Sequence, residues 1–247
     1  MGLLLEGRAA LVTGATRGLG RAIARTLARE GADVAFNYTR SDDEAAALVE
    51  EIRGHGRRAL PFKVSVLDKP AVLKMVQEID KSWGQIDVLV NNAGVGQVVP
   101  LALMEEEDWD RMMSVNVKGA FLMSQAVLRP MIRARRGRIV NISSLAGVKM
   151  MQAPVHYSAA KAALRGFTEA LAKEVGRYGI TVNCLAPGIL EEGVSVNLPP
   201  PKLDEYLRNC ALGRVGTFAE IAEVVAFVAA DRNSYMNGAT VVLDGAV

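Results

Sequence analysis

Short apolar runs alternate with longer amphipathic stretches along most of the chain. The runs are rich in Val, Ile, Leu and Ala and are bounded by turn-forming residues, which favours buried strands. The stretches between them repeat apolar residues every three or four positions, which predicts helices. The predicted strands are 9–12, 34–36, 59–62, 86–90, 138–142, 180–185 and 240–243. The predicted helices are 19–30, 42–52, 70–82, 105–115, 117–133, 155–177 and 219–230.

This alternation predicts the fold class. Seven apolar strands separated by helices are typical of a parallel sheet covered by helices on both faces. We therefore expect a single doubly wound α/β domain over residues 1–247, with a seven-stranded parallel sheet. The stretch 188–216 breaks the alternation and contains three consecutive prolines. A long irregular segment in a compact domain is usually functional, so we expect a lid over a substrate site.

Composition narrows the classes of function. The chain has 247 residues, of which 50% are hydrophobic, and this is enough for one sizeable core. A net charge of +2 is too small to argue for binding to nucleic acid or to a membrane surface. Two cysteines and two histidines argue against a disulfide framework and against a metal site. With no apolar run of membrane-spanning length and no signal-type segment, we expect a cytoplasmic protein.

A glycine-rich turn follows the first predicted strand and opens the first helix. Residues 14–20 have the spacing G-x-x-x-G-x-G. Glycines let the backbone approach a pyrophosphate closely, and the start of the helix offers free N–H groups. The spacing differs from the common G-x-G-x-x-G and could belong to a plain turn. Its position between strand and helix nevertheless favours a dinucleotide site.

The end of the second strand indicates which dinucleotide binds. NAD sites place an acid there, about 20 residues after the glycines. Here the first acid is Asp42, whereas Arg17 lies within the glycine turn and Arg40 just after the strand. Two arginines without an acid suit the 2′-phosphate of NADP(H), although both could be ordinary solvated charges.

Tyr157 and Lys161 are four residues apart in the longest predicted helix, so they lie on the same face. An unperturbed tyrosine has a pKa of about 10, and a fixed positive charge nearby lowers it. Such a tyrosine could exchange a proton with a substrate oxygen. The pair alone proves little, because solvated helix faces carry it by chance.

Together with the glycine turn, this pair resembles the short-chain dehydrogenase/reductase family. Other motifs agree in order and spacing: Asn91-Asn92-Ala93-Gly94 after the fourth strand, Asn116, Ser144 thirteen residues before Tyr157, and Pro187-Gly188 after the sixth strand. The resemblance covers essentially the whole chain. It implies a Rossmann-type fold and a catalytic set of Asn116, Ser144, Tyr157 and Lys161.

The resemblance also implies a role for each member of this set. Tyr157 would be the general acid in reduction and the general base in oxidation. Lys161 would lower the pKa of Tyr157 and hold the nicotinamide ribose. Ser144 would bind the substrate carbonyl oxygen, and Asn116 would hold a water that links Lys161 to solvent. Asn116 could instead cap or kink a helix, and the neighbouring Ser143 is better interpreted as a turn former.

Cofactor contacts implied by the resemblance lie in six short segments. They are Gly14, Thr16, Arg17, Gly18, Leu19, Gly20, Asn37, Tyr38, Thr39, Arg40, Ser65, Val66, Asn92, Ala93, Gly94, Tyr157, Lys161, Pro187, Gly188 and Ile189. Ser65 stands where the family usually has an aspartate that contacts adenine. Glu192 stands near the usual threonine, and Ala246 replaces a common glycine. Met150 and Met151 could line an apolar pocket or simply pack beneath the lid.

Among subgroups of the family, the chain most resembles 3-oxoacyl-[acyl-carrier-protein] reductases, through residues 14–20 and 37–41 and its compact length. This implies NADPH-dependent reduction of the β-keto group of an acyl thioester in fatty-acid or polyketide biosynthesis. A related reductase or dehydrogenase of a free ketone, sugar or secondary alcohol is the alternative. A non-catalytic subunit of a hetero-oligomer is a third interpretation.

Partners follow from charge and from the resemblance. An acyl carrier protein is acidic, so a basic patch could steer it to the enzyme. The sharpest basic cluster consists of Arg133, Arg135, Arg136, Arg138, Lys173 and Arg177, although a solvated helix end would look the same. The family resemblance implies a homotetramer joined by the helices around 105–133 and 155–177 and by the last strand.

Overall fold

A computed structural model describes residues 2–149, 152–192 and 200–247 of the chain. Seven strands form one parallel sheet in the order β3-β2-β1-β4-β5-β6-β7. They are β1 (Ala9–Thr13), β2 (Asp33–Tyr38), β3 (Ala59–Lys63), β4 (Val88–Asn91), β5 (Gly137–Ile142), β6 (Ile180–Pro187) and β7 (Thr240–Leu243). The predicted fold class is confirmed.

Helices connect the strands and cover both faces of the sheet. They are α1 (Gly18–Arg29), α2 (Asp42–Gly54), α3 (Lys69–Trp83), α4 (Glu106–Met113), α5 (Gly119–Ala134), α6 (Val155–Val175), α7 (Pro200–Asn209) and α8 (Phe218–Ala229). In the described part of the chain, no helix combines the length and the apolar character that a membrane crossing needs.

The structure differs from the predicted elements in two places. A π-helical segment, Ser114–Lys118, joins α4 to α5, where two separate helices were expected. Helix α7 lies inside the stretch expected to be irregular. Proline is tolerated in the first turn of a helix because the N–H group that it lacks has no intrahelical partner there. Two of the prolines that suggested a loop, Pro200 and Pro201, therefore open a helix.

The two faces of the sheet bury separate hydrophobic cores. Successive side chains of a strand point to opposite faces, so Val12 joins one core and Leu11 the other. Helices α1, α2 and α8 cover the first core, whereas α3, α5 and α6 cover the second. Because both faces are covered, the central strands are mostly apolar, and the buried Asn91 and Asn141 are hydrogen-bonded to each other.

The strand order reverses between β1 and β4. From this pair the chain leads outward to β2 and β3 on one side and to β5, β6 and β7 on the other. Such a switch point leaves a crevice at the carboxyl ends of the strands, where open α/β sheets bind nucleotides. The glycine turn after β1 and the Asn91 motif at the end of β4 both lie at this edge.

Candidate active site

The glycine turn packs tightly against the segment that follows β4. Gly14 and Gly18 have φ values of +65° and +53°, in the left-handed region that favours glycine. A Cβ atom at Gly14 would lie 3.1 Å from the Cα of Ala93, and one at Gly20 would lie 2.5 Å from the Nδ2 of Asn92. The turn therefore requires its glycines for both backbone conformation and packing.

Helix α1 begins at this turn without a side-chain cap. Arg17 occupies the capping position and makes no capping hydrogen bond, and the first turn of the helix contains no acid. The first N–H groups of a helix have no intrahelical partner and carry a partial positive charge. The start of α1 is therefore suited to an anion such as a pyrophosphate.

Two predicted cofactor contacts, Asn37 and Asn92, hold the turn in place. The Asn37 Oδ1 accepts a hydrogen bond from the Gly14 N–H at 3.3 Å, and the Asn92 Nδ2 donates to the Thr13 carbonyl at 2.9 Å. The Thr13 hydroxyl oxygen accepts from the backbone N–H groups of Asn92 and Ala93, both at 2.9 Å. Sequence reasoning missed Thr13, although its position directly before the first glycine was a usable signal.

Near the end of β2, two arginines have no ion-pair partner among the described residues, whereas the nearest acid is already paired. Arg17 and Arg40 are exposed, and neither forms an ion pair within residues 2–149, 152–192 and 200–247. Lys63 contacts the Asp42 carboxylate at 2.6 Å. Hydrogen bonds from Lys63 and Tyr38 lower the pKa of Asp42. The first acid after β2 thus already has partners in the structure.

Ser65 and Val66, which were predicted to contact the cofactor, follow β3. The Ser65 hydroxyl oxygen accepts from the Leu67 N–H at 3.2 Å, so it closes a local turn. Val66 is buried against the start of α5, where a Cβ atom at Gly119 would lie 2.7 Å from the Val66 Cγ2. The predicted cofactor residues thus follow β1, β2, β3, β4 and β6 along one edge of the sheet.

Ser144, Tyr157 and Lys161 meet at the carboxyl end of β5. A hydrogen bond joins the Ser144 and Tyr157 side chains. The Lys161 Nζ lies 5.7 Å from the centroid of the Tyr157 ring and donates to the Ile142 carbonyl at 2.9 Å. The Ser143 hydroxyl donates to the Lys161 carbonyl at 2.7 Å, as befits a structural residue.

Burial controls the ionisation of this pair. Burial raises the pKa of Tyr157, and the Ser144 hydrogen bond only partly opposes it. Burial also lowers the pKa of Lys161 to about 8. The expected lowering of the Tyr157 pKa by Lys161 is wrong for this structure, which gives the opposite direction. The reason is that the loss of hydration disfavours the charged form of both groups, and the ammonium is bonded to a carbonyl oxygen.

Asn116 lies in the π-helical segment between α4 and α5. Its Nδ2 donates to the Val95 carbonyl at 3.1 Å and to the Met112 carbonyl at 3.0 Å. Its Oδ1 is buried and has no hydrogen-bond partner among the described residues. The bond to Met112, four residues earlier, shows that Asn116 also shapes the helix. A buried acceptor without a protein partner is free to accept a hydrogen bond from a water.

Gly94 brings the β4 segment against this acceptor. A Cβ atom at Gly94 would lie 2.6 Å from the Asn116 Oδ1 and 3.6 Å from the Lys161 Nζ. The glycine therefore adjoins both side chains. Asn116 and Lys161, 45 positions apart in the sequence, become neighbours at this point.

The turn after β6 is fixed from two sides. The Gly188 N–H donates to the Leu243 carbonyl at 2.9 Å, and the Ile189 N–H donates to the Tyr206 hydroxyl oxygen at 3.0 Å. Glu192 is exposed. Met150, Met151 and part of the predicted lid, 193–199, lie outside the described residues.

The predicted docking cluster lies at the other end of the sheet. Four of its residues precede or open β5 and the other two precede β6, whereas Ser144, Tyr157 and Lys161 follow β5. Arg133 contacts Asp80 at 2.7 Å, Arg136 pairs with Asp87, and Arg138 contacts Asp231 at 3.3 Å.

The rest of the cluster is only partly free. The Arg135 guanidinium donates to the Arg177 carbonyl at 3.0 Å, and the Arg177 guanidinium stacks over Tyr178 at 4.8 Å. Lys173 is exposed and makes no ion pair in the described ranges. The expectation of six cations available to a partner is therefore corrected, because acids distant in the sequence neutralise three of them.

Comparison with known proteins shows strong similarity along the chain. A family model described as short chain dehydrogenase matches residues 8–201. The 3-oxoacyl-[acyl-carrier-protein] reductase FabG of Staphylococcus epidermidis is 40% identical over 96% of this chain and 98% of its own length. FabG of Pseudomonas aeruginosa is also 40% identical, over 98% and 97%. A short-chain dehydrogenase/reductase structure from Serratia marcescens superposes with a TM-score of 0.92 at 35% identity, covering 98% of both chains.

Proposed function

Because this chain belongs to the short-chain dehydrogenase/reductase family, we propose that it reduces 3-oxoacyl thioesters on acyl carrier protein to 3-hydroxyacyl thioesters, with NADPH as reductant. The chain is an oxidoreductase of that family, which uses a nicotinamide cofactor. One observation carries the finer proposal. The arrangement of Ser144, Tyr157 and Lys161 beside Asn116 occurs in a chain that matches 3-oxoacyl-[acyl-carrier-protein] reductases over nearly its whole length.

The residues of the crevice fit a dinucleotide. The glycine turn has no room for side chains, and the start of α1 is uncapped, which suits the pyrophosphate. Arg17 and Arg40 would hold the 2′-phosphate, and Ser65 and Val66 would border the adenine. Tyr157 and Lys161 would hold the nicotinamide ribose, beside residues 187–189. When bound, the reduced nicotinamide supplies the hydride.

Ser144 and Tyr157 act on the carbonyl oxygen of the substrate. Negative charge develops on this oxygen during reduction, and the Ser144 hydroxyl donates a hydrogen bond to it. Tyr157 then gives its phenolic proton to the same oxygen. The raised pKa of Tyr157 suits this direction, because it keeps the phenol protonated as the acid that reduction needs.

Lys161 and Asn116 return the proton to Tyr157. With a pKa of about 8, the Lys161 ammonium can release a proton near neutral pH, and the resulting amine can take one up again. The unpaired Asn116 Oδ1 provides an acceptor for a water next to Lys161. In this proposal a proton passes from solvent through this water and Lys161 to the Tyr157 phenol.

The cofactor preference can be tested at the two free arginines. Replacing both Arg17 and Arg40 with alanine should raise the Kd for NADPH about 100-fold, because each loses a charge-assisted hydrogen bond to phosphate. The Kd for NADH should change less than about threefold, because NADH has no 2′-phosphate. Fluorescence titration with both cofactors measures this, with Arg53→Ala on α2 as a control. Tighter binding of NADH than NADPH to the unmodified protein would refute the preference.

The substrate class is tested by following NADPH oxidation. We expect turnover of acetoacetyl-acyl carrier protein with a kcat/KM at least about 100-fold above that of free ketones, sugars or alcohols, because remote contacts with the carrier and its arm contribute binding energy. Turnover of a free ketone without turnover of the thioester would identify the alternative enzyme. Cofactor binding without turnover of any compound would indicate the non-catalytic subunit.

The assembly that we propose is a cytoplasmic homotetramer. Large apolar side chains are exposed around α4 and α5 and near α8, as expected for subunit contacts. They are Leu101, Leu103, Trp109, Phe121 and Phe227. If α5 and α6 pack antiparallel across a two-fold axis, the Lys173 end of one subunit lies beside the catalytic end of its neighbour. In that arrangement the remaining basic residues could dock a carrier protein for the neighbouring site.

A further inference from the structure

Asp244 connects three segments that surround the substrate side of the crevice. Its Oδ2 accepts from the Lys149 Nζ at 2.6 Å, and its carbonyl oxygen accepts from the Tyr206 hydroxyl at 3.3 Å. Lys149 lies in the loop that begins at Ser144, and Tyr206 lies on α7. The carbonyl of Leu243, the preceding residue, fixes Gly188 in the turn after β6. None of these contacts has a role in the proton transfers described above.

The Lys149 side chain covers the carboxylate of Asp244, which is largely buried. The Asp244 side chain is 9% exposed, whereas that of Lys149 is 43% exposed. The Lys149 Nζ also donates to the Val247 carbonyl at 2.6 Å, and the Ala246 N–H donates to the Asp244 Oδ1 at 3.0 Å. Ala246 has a φ of +63°, which residues other than glycine rarely adopt. Residues 244–247 are thus held in a defined conformation by their contacts.

Tyr206 extends the connection to the lid. Its side chain is buried, and its hydroxyl accepts from the Ile189 N–H while donating to the Asp244 carbonyl. A Cβ atom at Gly188 would collide with this hydroxyl. Helix α7 is therefore joined through one phenol to the nicotinamide-side turn and to Asp244.

We propose that Asp244, through Lys149 and Tyr206, positions the walls of the substrate site. The three connected segments contain Ser144, Ile189 and the lid helix, so their relative placement sets the width of the opening. The proposal rests on the proposed function in that the substrate must enter between these segments. The junction touches no reacting atom, so its loss should affect substrate binding more than the chemical step.

Three substitutions test the junction: Lys149→Met, Asp244→Asn and Tyr206→Phe. Each should raise KM for the substrate about five- to tenfold, because the binding-competent arrangement is then populated only part of the time. We expect kcat to stay within about twofold, and the Kd for NADPH to stay unchanged in Lys149→Met and Asp244→Asn. Lys149→Arg keeps the positive charge, so its KM should equal that of the unmodified protein. Lys74→Met on the distant α3 is the matched control.

A double variant separates positioning from simple loss of stability. Because Lys149 and Asp244 act through one contact, the Lys149→Met, Asp244→Asn pair should raise KM no further than either change alone. An unchanged KM in all three single variants, with only a lower Tm, would overturn the proposal.

Amide hydrogen exchange gives a readout that needs no turnover. Residues 145–149 and 200–209 should exchange faster in the Lys149→Met and Asp244→Asn variants than in the unmodified protein. Unchanged exchange there would also overturn the proposal. If the unmodified protein reduces a free ketone and no thioester, the proposed function fails, and the same KM comparison is made with that ketone.

Discussion

Replacing Tyr157 with phenylalanine should lower kcat about 1,000-fold while the Kd for NADPH changes less than about threefold. The substitution removes the hydroxyl that we propose gives its proton to the substrate oxygen, but it keeps the ring beside Lys161. General acid–base groups typically contribute about 100- to 10,000-fold to a rate. Steady-state turnover and a fluorescence titration with NADPH measure the two quantities.

A matched control for this variant is Tyr235→Phe. The Tyr235 side chain is fully exposed and distant in sequence from the catalytic candidates, so its hydroxyl should be dispensable. Retention of more than about a tenth of the kcat in Tyr157→Phe would exclude the general-acid role, because it falls below the range of that effect.

Replacing Gly94 with alanine should lower kcat about 100-fold in a protein that still folds. The added methyl group would lie 2.6 Å from the Asn116 Oδ1 and would displace that side chain relative to Lys161. A misplacement of about 1 Å in an active site can cost about 100-fold in rate. Gly94 does not have a positive φ, so its backbone accepts alanine without strain.

Steady-state kinetics and a thermal melt distinguish damage to the site from damage to the fold. Gly54→Ala is the control, because a Cβ atom there meets no atom within 4 Å. Unchanged kcat in Gly94→Ala would contradict a relay that depends on the placement of Asn116. A fall in Tm large enough to unfold the variant at the assay temperature would assign the effect of the substitution to folding instead.

Periodicity and motif order predicted most of the fold and the residues proposed for catalysis. Buried strands such as β4 and β5 appear in the sequence as short apolar runs. The helices predicted between successive strands indicated that the strands run parallel in one sheet. The glycine turn was informative because its conformation and its packing both exclude side chains. Tyr157 and Lys161 share one helix, so their spacing alone placed them on one face.

Electrostatic properties were less predictable because they depend on distant partners and on burial. The basic cluster looked available in the sequence, yet Arg133, Arg136 and Arg138 pair with acids more than 45 positions away. The direction of the Tyr157 pKa shift depends on the balance between burial and a nearby charge, and spacing gives no measure of burial.

Contacts between remote segments were missed altogether. Lys149 and Asp244 are ordinary surface residue types separated by 95 positions, so no local pattern relates them. Tyr206 lies in α7, a helix that was not predicted because it begins with prolines. The π-helical segment around Asn116 was missed as well, because the sequence predicted one helix ending and another beginning there.

The division of the interior into two cores also bears on how this protein can evolve. The cores lie against the bodies of the strands, whereas the walls of the substrate opening come from three segments beyond the carboxyl ends of those strands. Mutations that reshape these walls should disturb only the small cluster of Leu145, Tyr206 and Cys210 that packs between them, and should leave the two main cores intact. After gene duplication, a few changes in the loops could let one copy accept a substrate of a different shape. That copy would keep the same scaffold and the same residues proposed for proton transfer.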